Sequence, residues 1–167
     1  MATKTDFGTE EWSRLVASPM VAGIAITAAD PSGIWGLVKE GMAGAWALLE
    51  ARQNAQANPL VKAVAEDFAT PDGRSAARAA LQTRMTGKSA SQLKDAALAE
   101  LRAISDLLDT KAPNDAATFK AWLQEVANKA AEAGTEGGFL GFGGVAVSDA
   151  EKATIAEISA ALSRRPT

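Results

Sequence analysis

A glycine-rich segment near the carboxyl end is the most distinctive candidate for chemistry. It reads GTEGGFLGFGGVAVS from Gly134 to Ser148 and contains six glycines. A phosphate-binding loop places glycine N–H groups and a basic side chain around the anion at a helix start. Here the next cation is Lys152, and Phe139 and Phe142 stand where such loops keep small or polar residues. The segment therefore favours an apolar loop folded onto the domain, with contact to a partner, a lipid or a small apolar ligand as the alternative.

Two missing residue types narrow the catalytic chemistry. The 167-residue chain contains no histidine and no cysteine, which excludes a Ser-His-Asp triad, a thiolate ligand and the Glu-x-x-His di-iron site of helical bundles. Ser91 and Lys94 match the S-x-x-K spacing of some acyl enzymes, but the companion motifs are absent. We therefore assign no catalytic residue, no metal ligand and no cofactor. An enzyme using only carboxylate, lysine or serine groups is a third functional hypothesis.

Three acidic residues towards the carboxyl end could form a cation site. Glu125, Glu132 and Glu136 can share one helix face, and calcium and magnesium take oxygen ligands. Spacings of seven and four residues also describe a solvated surface, and Lys129 lies among the three glutamates. We favour the solvated face.

Four tryptophans are candidates for ligand binding. They are Trp12, Trp35, Trp46 and Trp122. Each is expected to fill the core, with its N–H bonded to a carbonyl or carboxylate. Trp35 and Trp46 lie eleven positions apart, about three helical turns and nearly one azimuth, so they could also line a groove for a flat aromatic ligand. Core packing is the preferred interpretation.

The longest apolar segment, residues 30–53, is expected to position two of these tryptophans. Asp30 is a natural N-cap, and Pro31 suits the first helical turn. Apolar residues then recur with the spacing of one helical face, at Ile34, Leu37, Val38, Met42, Ala45, Leu48 and Leu49. A helix that is apolar around most of its circumference belongs in the middle of a bundle.

The other helices are predicted from their caps. A short helix carrying Trp12 should begin at the Thr9 N-cap and stop before Pro19, and residues 20–29 favour a buried helix over a strand. A longer helix is expected over residues 91–109. Further caps or stops are predicted at Asn58-Pro59, Thr70-Pro71, Gly87, Asn114 or Asp115, and Ser148 with Glu151.

The composition indicates one ordinary globular domain. Hydrophobic residues make up 47% and charged residues 22%, with a net charge of -3, which argues against a disordered, membrane or nucleic-acid-binding chain. The nearest approach to a basic stripe, Arg74, Arg78, Arg84 and Lys88, is interpreted as a solvated helix face. The uncharged residues 15–29 are too short to cross a bilayer, and a signal peptide's positive n-region is missing. We expect a cytoplasmic location.

Two long segments support a resemblance. They read TEEWSRLVASPMVAGIAITAADPSGIWGLVKEGMA and EGGFLGFGGVAVSDAEKATIAEI. They resemble signature segments of an uncharacterised family of small, soluble, all-helical bacterial proteins, and the resemblance extends from Thr9 to Leu162. It implies a bacterial, single-domain protein and carries over no catalytic or ligand residue.

The sequence as a whole predicts an all-α fold, a single-domain bundle of about six or seven helices around a central apolar helix. A Gly-rich apolar loop precedes the last helix. The domain is expected to span residues 9–163, between flexible residues 1–8 and 164–167.

The leading functional hypothesis is a non-enzymatic interaction or accessory protein with a protein partner or a second copy of itself. Nucleic-acid binding and a membrane span are not expected. The alternative is a bundle that binds an apolar or aromatic small molecule between tryptophan-bearing helices. The candidate partner or ligand contacts are Trp35, Trp46, Gly138, Phe139, Leu140 and Phe142.

Overall fold

The fold is an all-α bundle, as predicted. A computed structural model describes residues 1–29, 48, 50–54, 57–135 and 147–163. Within these ranges there is no β-strand, and the six helices are α1 Thr9–Thr27, α2 Pro59–Phe68, α3 Pro71–Met85, α4 Ala90–Lys111, α5 Pro113–Thr135 and α6 Asp149–Ser163. A 3₁₀ turn, Lys4–Asp6, precedes α1. Of the helix predicted over residues 30–53, residues 30–47 and 49 lie outside the described part, and residues 50–53 are helical.

Helix α1 packs against each of the other five helices of the described part. Its buried side chains are apolar along most of its length, including Leu15, Val16 and Val21, which are at most 1% exposed. Leu101 and Ile104 of α4, together with Phe119 of α5, belong to the same fully buried core. Burying each such side chain contributes about 1.5–3 kcal/mol, so the hydrophobic effect dominates the stability of the bundle.

The predicted stop before Pro19 is wrong, because α1 continues through this residue. A helical residue at this position would donate its backbone N–H to the carbonyl of Leu15, and proline has no N–H. The hydroxyl of Ser18 donates to the Leu15 carbonyl oxygen at 2.7 Å instead. The two predicted segments on either side of Pro19 therefore form one buried helix.

Most predicted caps are confirmed. The Asn58 side chain accepts from Leu60 N, and the Thr70 hydroxyl accepts from Gly73 N at 2.9 Å. Ser148 and Glu151 form the expected capping box, with the Glu151 carboxylate accepting from Ser148 N at 2.7 Å. These local signals set where α2, α3 and α6 begin.

Other boundaries differ by one or two residues. Helix α1 has Gly8 rather than Thr9 as its N-cap, and Ser89 caps α4 through Gln92. Neither Asn114 nor Asp115 caps α5, because that helix begins at Pro113. Past the end of α3, Gly87 has a φ of 77°, the left-handed stop that the sequence predicted.

The first residues, for which the sequence predicted a flexible start over residues 1–8, make contacts with the domain. Phe7 is 7% exposed and lies 5.9 Å from the Trp12 ring centroid. Ala2 N donates to Asp115 Oδ2 at 2.7 Å, and Lys4 pairs with Asp67 at 3.0 Å. One apolar side chain and two polar contacts therefore hold this segment. The expected flexible residues 164–167 lie outside the described part.

Candidate functional site

The six contact residues predicted from the sequence, Trp35, Trp46, Gly138, Phe139, Leu140 and Phe142, all lie outside the described residues. The described part of the chain therefore contains none of these predicted contacts. Helix α5 carries the fourth tryptophan, Trp122, which the sequence assigned to the core. Trp122 is only partly buried and lines a surface groove.

This Trp122 groove has a volume of about 290 Å³. One wall is a face of α5, and the other comes from residues 50–54 and 57–61, around the start of α2. Its lining residues are Glu50, Ala51, Asn54, Ala57, Asn58, Val61, Thr118, Ala121, Trp122, Glu125, Val126 and Lys129. The α5 members recur every three or four residues, which places them on one side of the helix.

The floor of the groove is apolar and fixed. Val61 and Val126 are buried at 3% and 0% exposure, and Ala51 is also buried. The Trp122 ring makes a T-shaped contact with Phe119, with 5.3 Å between ring centroids. Because Phe119 is fully buried, this contact holds the tryptophan ring against the core and leaves part of it facing the groove.

One end of the groove carries three charges. Lys129 Nζ lies 2.5 Å from Glu50 Oε2 and 3.1 Å from Glu125 Oε1. The hydrogen bond to Glu50 raises the pKa of Lys129 above its ordinary value, with a smaller contribution from Glu125 and against a lowering by desolvation. Lys129 is therefore held in its ammonium form between two carboxylates.

A polar contact between α2 and α5 holds the groove wall at the start of α2. Asn58 Nδ2 donates to Asp115 Oδ1 at 2.9 Å, while its own Oδ1 accepts from Leu60 N at 2.9 Å. Asp115 is 3% exposed and also accepts from Ala2 N. The start of α2 is thus fixed to the start of α5, which keeps the two walls apart at a defined spacing.

A second cleft lies on another side of α5, towards the ends of α4 and α6. Its volume is about 490 Å³, and Lys120, Gln124 and Ser159 line it. Lys120 donates to both oxygens of Asp109, at 2.6 Å and 2.7 Å. It carries no tryptophan, so it lacks the aromatic surface of the Trp122 groove.

The structure does not bring the other sequence candidates together as a catalytic or metal site. Lys94 pairs with Glu157 at 2.9 Å, while Ser91 lies beside Ser89 at the start of α4. No cluster of three acidic side chains suited to a metal ion is found in the described part of the chain. Glu136, the last of the three proposed acidic ligands, lies outside it.

Two residues of the basic stripe make contacts within the protein, while Arg78 and Lys88 are exposed. Arg74 donates to the Ala69 carbonyl at 2.7 Å, near the end of α2. Arg84 joins Arg14 around the carboxylate of Glu100, at 3.0 Å and 2.6 Å, and also pairs with Glu10. Glu100 is 8% exposed. These contacts join α1, α3 and α4 and leave no basic stripe formed by all four residues.

Comparisons of the chain with protein families, curated proteins and solved structures found no match. The resemblance to small bacterial proteins therefore stays a prediction. Among the described residues, no helix has the length and apolar character to cross a membrane.

The sequence carried a partial signal for the groove. Trp122, Glu125 and Lys129 stand at i, i+3 and i+7, a spacing that puts an aromatic ring and two charges on one face. What the sequence could not indicate is that Glu50, 79 positions from Lys129, completes the charged end.

Proposed function

We propose that this bundle is a binding protein whose ligand is a small aromatic molecule held in the Trp122 groove. The observation that carries the proposal is a partly exposed tryptophan, fixed by Phe119, on the apolar floor of a groove with charged groups at one end. Ligand sites are typically apolar concavities with a few polar groups that fix orientation. The proposal keeps the alternative hypothesis drawn from the sequence, a bundle that binds an apolar or aromatic small molecule. It places that molecule at Trp122.

The size of the groove limits the ligand. Its volume of about 290 Å³ is just below the roughly 300–1,000 Å³ found for ligand pockets. A molecule with one aromatic ring and a short polar substituent suits this space. Stacking on Trp122 would supply most of the affinity, because the ring is the largest apolar surface in the groove.

Binding has more support than catalysis. An enzyme needs ionisable groups that converge on a substrate with strongly shifted pKa values. The charged groups at the groove are engaged with one another, and the ammonium of Lys129 is stabilised rather than prepared to act as a base.

The interaction hypothesis has less support on the described surface. A docking site for a protein partner usually exposes a contiguous apolar patch. Among the described residues, Met1 is the one large hydrophobic side chain that is exposed. The segment on which that hypothesis mainly depended, Gly134 to Ser148, lies largely outside the described part.

A pair of neighbouring substitutions on α5 tests the proposal. Thr118 and Ala117 are both exposed, but Thr118 lines the Trp122 groove and Ala117 lines the second cleft. Phenylalanine at either position should leave the core intact, and only Thr118→Phe should fill the groove. The probe is 2-phenylethanol, followed through the indole N–H signal of Trp122 in an NMR titration, with the signal assigned from a Trp122→Phe variant.

The expected result is a saturable shift of the Trp122 signal in the wild type and in Ala117→Phe, and no saturable shift in Thr118→Phe. Equal melting temperatures of the two variants would establish that the difference arises at the groove. The proposal is overturned if the wild-type signal responds neither to this probe nor to its charged analogues, or if Thr118→Phe responds as strongly as the wild type.

A further inference from the structure

The charged end of the Trp122 groove has an excess of negative charge. Glu50 and Glu125 provide two carboxylates, and Lys129 provides one ammonium group, which leaves one net negative charge among the described residues that line the groove. Arg52 and Lys62 are close in sequence to the lining residues but do not line the groove. A cationic ligand would balance this charge, whereas an anionic ligand would increase the imbalance.

The geometry of the three charged groups also favours a cation. The side chains of Glu50 and Glu125 are 63% and 58% exposed, so they can be reached from the groove. Lys129 contacts Oε2 of Glu50 and Oε1 of Glu125, so each carboxylate has a second oxygen. An additional ammonium group can donate to these oxygens without displacing Lys129. An anion would instead have to compete with both carboxylates for the ammonium group of Lys129.

The position of Trp122 adds a preference for a ligand that carries an aromatic ring. Trp122 and the two carboxylates line one groove and share helix α5 through Trp122 and Glu125, one helical turn apart. An aromatic ring of the ligand can stack on the indole ring while a short arm extends one turn along α5 to the carboxylates. The ring and the carboxylates therefore favour the same class of ligand.

We propose that the Trp122 groove selects a small organic cation, a single aromatic ring with a short ammonium-bearing arm. The ring lies against Trp122, and the ammonium group donates to Glu125 and Glu50. This inference rests on the proposed function, because it names the class of ligand for the same groove.

Three probes of nearly equal size separate charge from shape. They are phenethylamine, 2-phenylethanol and 3-phenylpropionate, which carry a positive, a neutral and a negative terminal group. Each is titrated against the Trp122 indole signal. We expect phenethylamine to bind about fivefold tighter than the alcohol, a size suited to exposed charge pairs, and the carboxylate to bind most weakly.

Two variants connect the preference to the carboxylates. Glu125→Gln should reduce the ratio between the affinities for phenethylamine and for the alcohol towards unity. Glu66→Gln is the matched control, because it removes an exposed negative charge on α2 that does not line the groove. The ratio should be unchanged in that variant.

The outcomes distinguish this inference from the proposed function. Equal affinities for phenethylamine and the alcohol, or tighter binding of the carboxylate, would overturn cation selection while the groove remained a binding site. An unchanged ratio in Glu125→Gln would also overturn it. A Trp122 signal that responds to none of the three probes would overturn the proposed function itself.

Discussion

The hydroxyl of Ser18 donates to the carbonyl oxygen of Leu15 at 2.7 Å. This is the oxygen that the backbone N–H of residue 19 would otherwise approach, and residue 19 is a proline. Ser18 is fully buried, and so is Pro19 within α1. A side-chain donor thus replaces the missing backbone donor in the helix that packs against the other five helices bounded in the described part.

Ser18→Ala should lower the free energy of unfolding by about 1–3 kcal/mol, because it leaves a buried carbonyl without this donor. Denaturant unfolding measures the change. Ser13→Ala is the matched control, since Ser13 donates to Thr9 O at 2.8 Å at a more exposed position of the same helix, and its loss should be below about 0.5 kcal/mol.

The role of Pro19 is tested by a double-mutant cycle. In a Pro19→Ala background, the backbone N–H of residue 19 can donate to Leu15 O, so Ser18→Ala should cost less there than in the wild type. An equal cost in both backgrounds would mean that the hydroxyl does not compensate for the proline.

Gly73 is predicted to tolerate no larger residue. A Cβ atom at this position would lie 2.0 Å from the backbone oxygen of Asp67, where the start of α3 crosses the end of α2. Gly73→Ala should therefore destabilise the protein by about 1–3 kcal/mol, as overpacking does. Thermal unfolding provides the measurement. Ser75→Ala, at an exposed position of α3, should change stability by less than about 0.5 kcal/mol, and equal effects of the two would contradict the prediction.

The sequence predicted the fold class and several helix starts because these depend on neighbouring residues. Asn58-Pro59 and Thr70-Pro71 cap helices through contacts that span two or three residues. The predicted helix stop before Pro19 was wrong because it, too, depended only on neighbouring residues. A local pattern shows the missing N–H, but the burial that keeps α1 continuous comes from helices far along the chain.

The candidate site shows the same limit. The sequence placed Trp122 in the core because its neighbours Phe119 and Val126 are core residues, and both are indeed fully buried. The partial exposure of Trp122 depends on where residues 50–54 and 57–61 lie across the groove. In contrast, the predicted carboxylate partner for a buried tryptophan is confirmed at Trp12, whose Nε1 donates to Asp67 Oδ2 at 2.7 Å.

Removal of the Glu100 carboxylate should lower the free energy of unfolding, because this group is the centre of an ion-pair network. Arg14 and Arg84 both contact this 8% exposed residue, so Glu100→Ala leaves two largely buried guanidinium groups without it. We expect a loss of about 3–5 kcal/mol in denaturant unfolding, typical of a broken buried pair. Lys152→Ala removes a surface pair with Asp149 and should cost at most about 1 kcal/mol. Similar losses in the two variants would show that the Glu100 network contributes little.

Asp115 should control the attachment of the first residues. Asp115→Ala removes the acceptor of both Ala2 N and Asn58 Nδ2. Stability should fall by about 1–3 kcal/mol, and the amides of residues 6 and 7 should exchange faster with solvent in hydrogen-exchange measurements. Asn114→Ala alters the exposed neighbouring position on α5 and should leave that exchange unchanged. If both variants exchange alike, the attachment does not depend on Asp115.

The pKa of Lys129 should depend on Glu50. The Glu50 hydrogen bond is the largest cause of the raised pKa, above the ordinary value of 10.5. Glu50→Gln should therefore move the pKa down towards that value, which NMR titration of the Lys129 side chain would measure. Because the folded-state pKa is the higher one, the stabilising contribution of Lys129 is present at neutral pH and is lost as the pH rises through it.

A matched control separates the local pair from the general charge of the protein. Glu66→Gln removes one exposed negative charge that does not line the groove and should leave the Lys129 pKa nearly unchanged, because salt screens the interaction between exposed charges that are not in contact. Equal shifts in the two variants would contradict a specific Glu50–Lys129 pair. Ligand selection at the charged end of the groove, which depends on that pair, would then lose its structural basis.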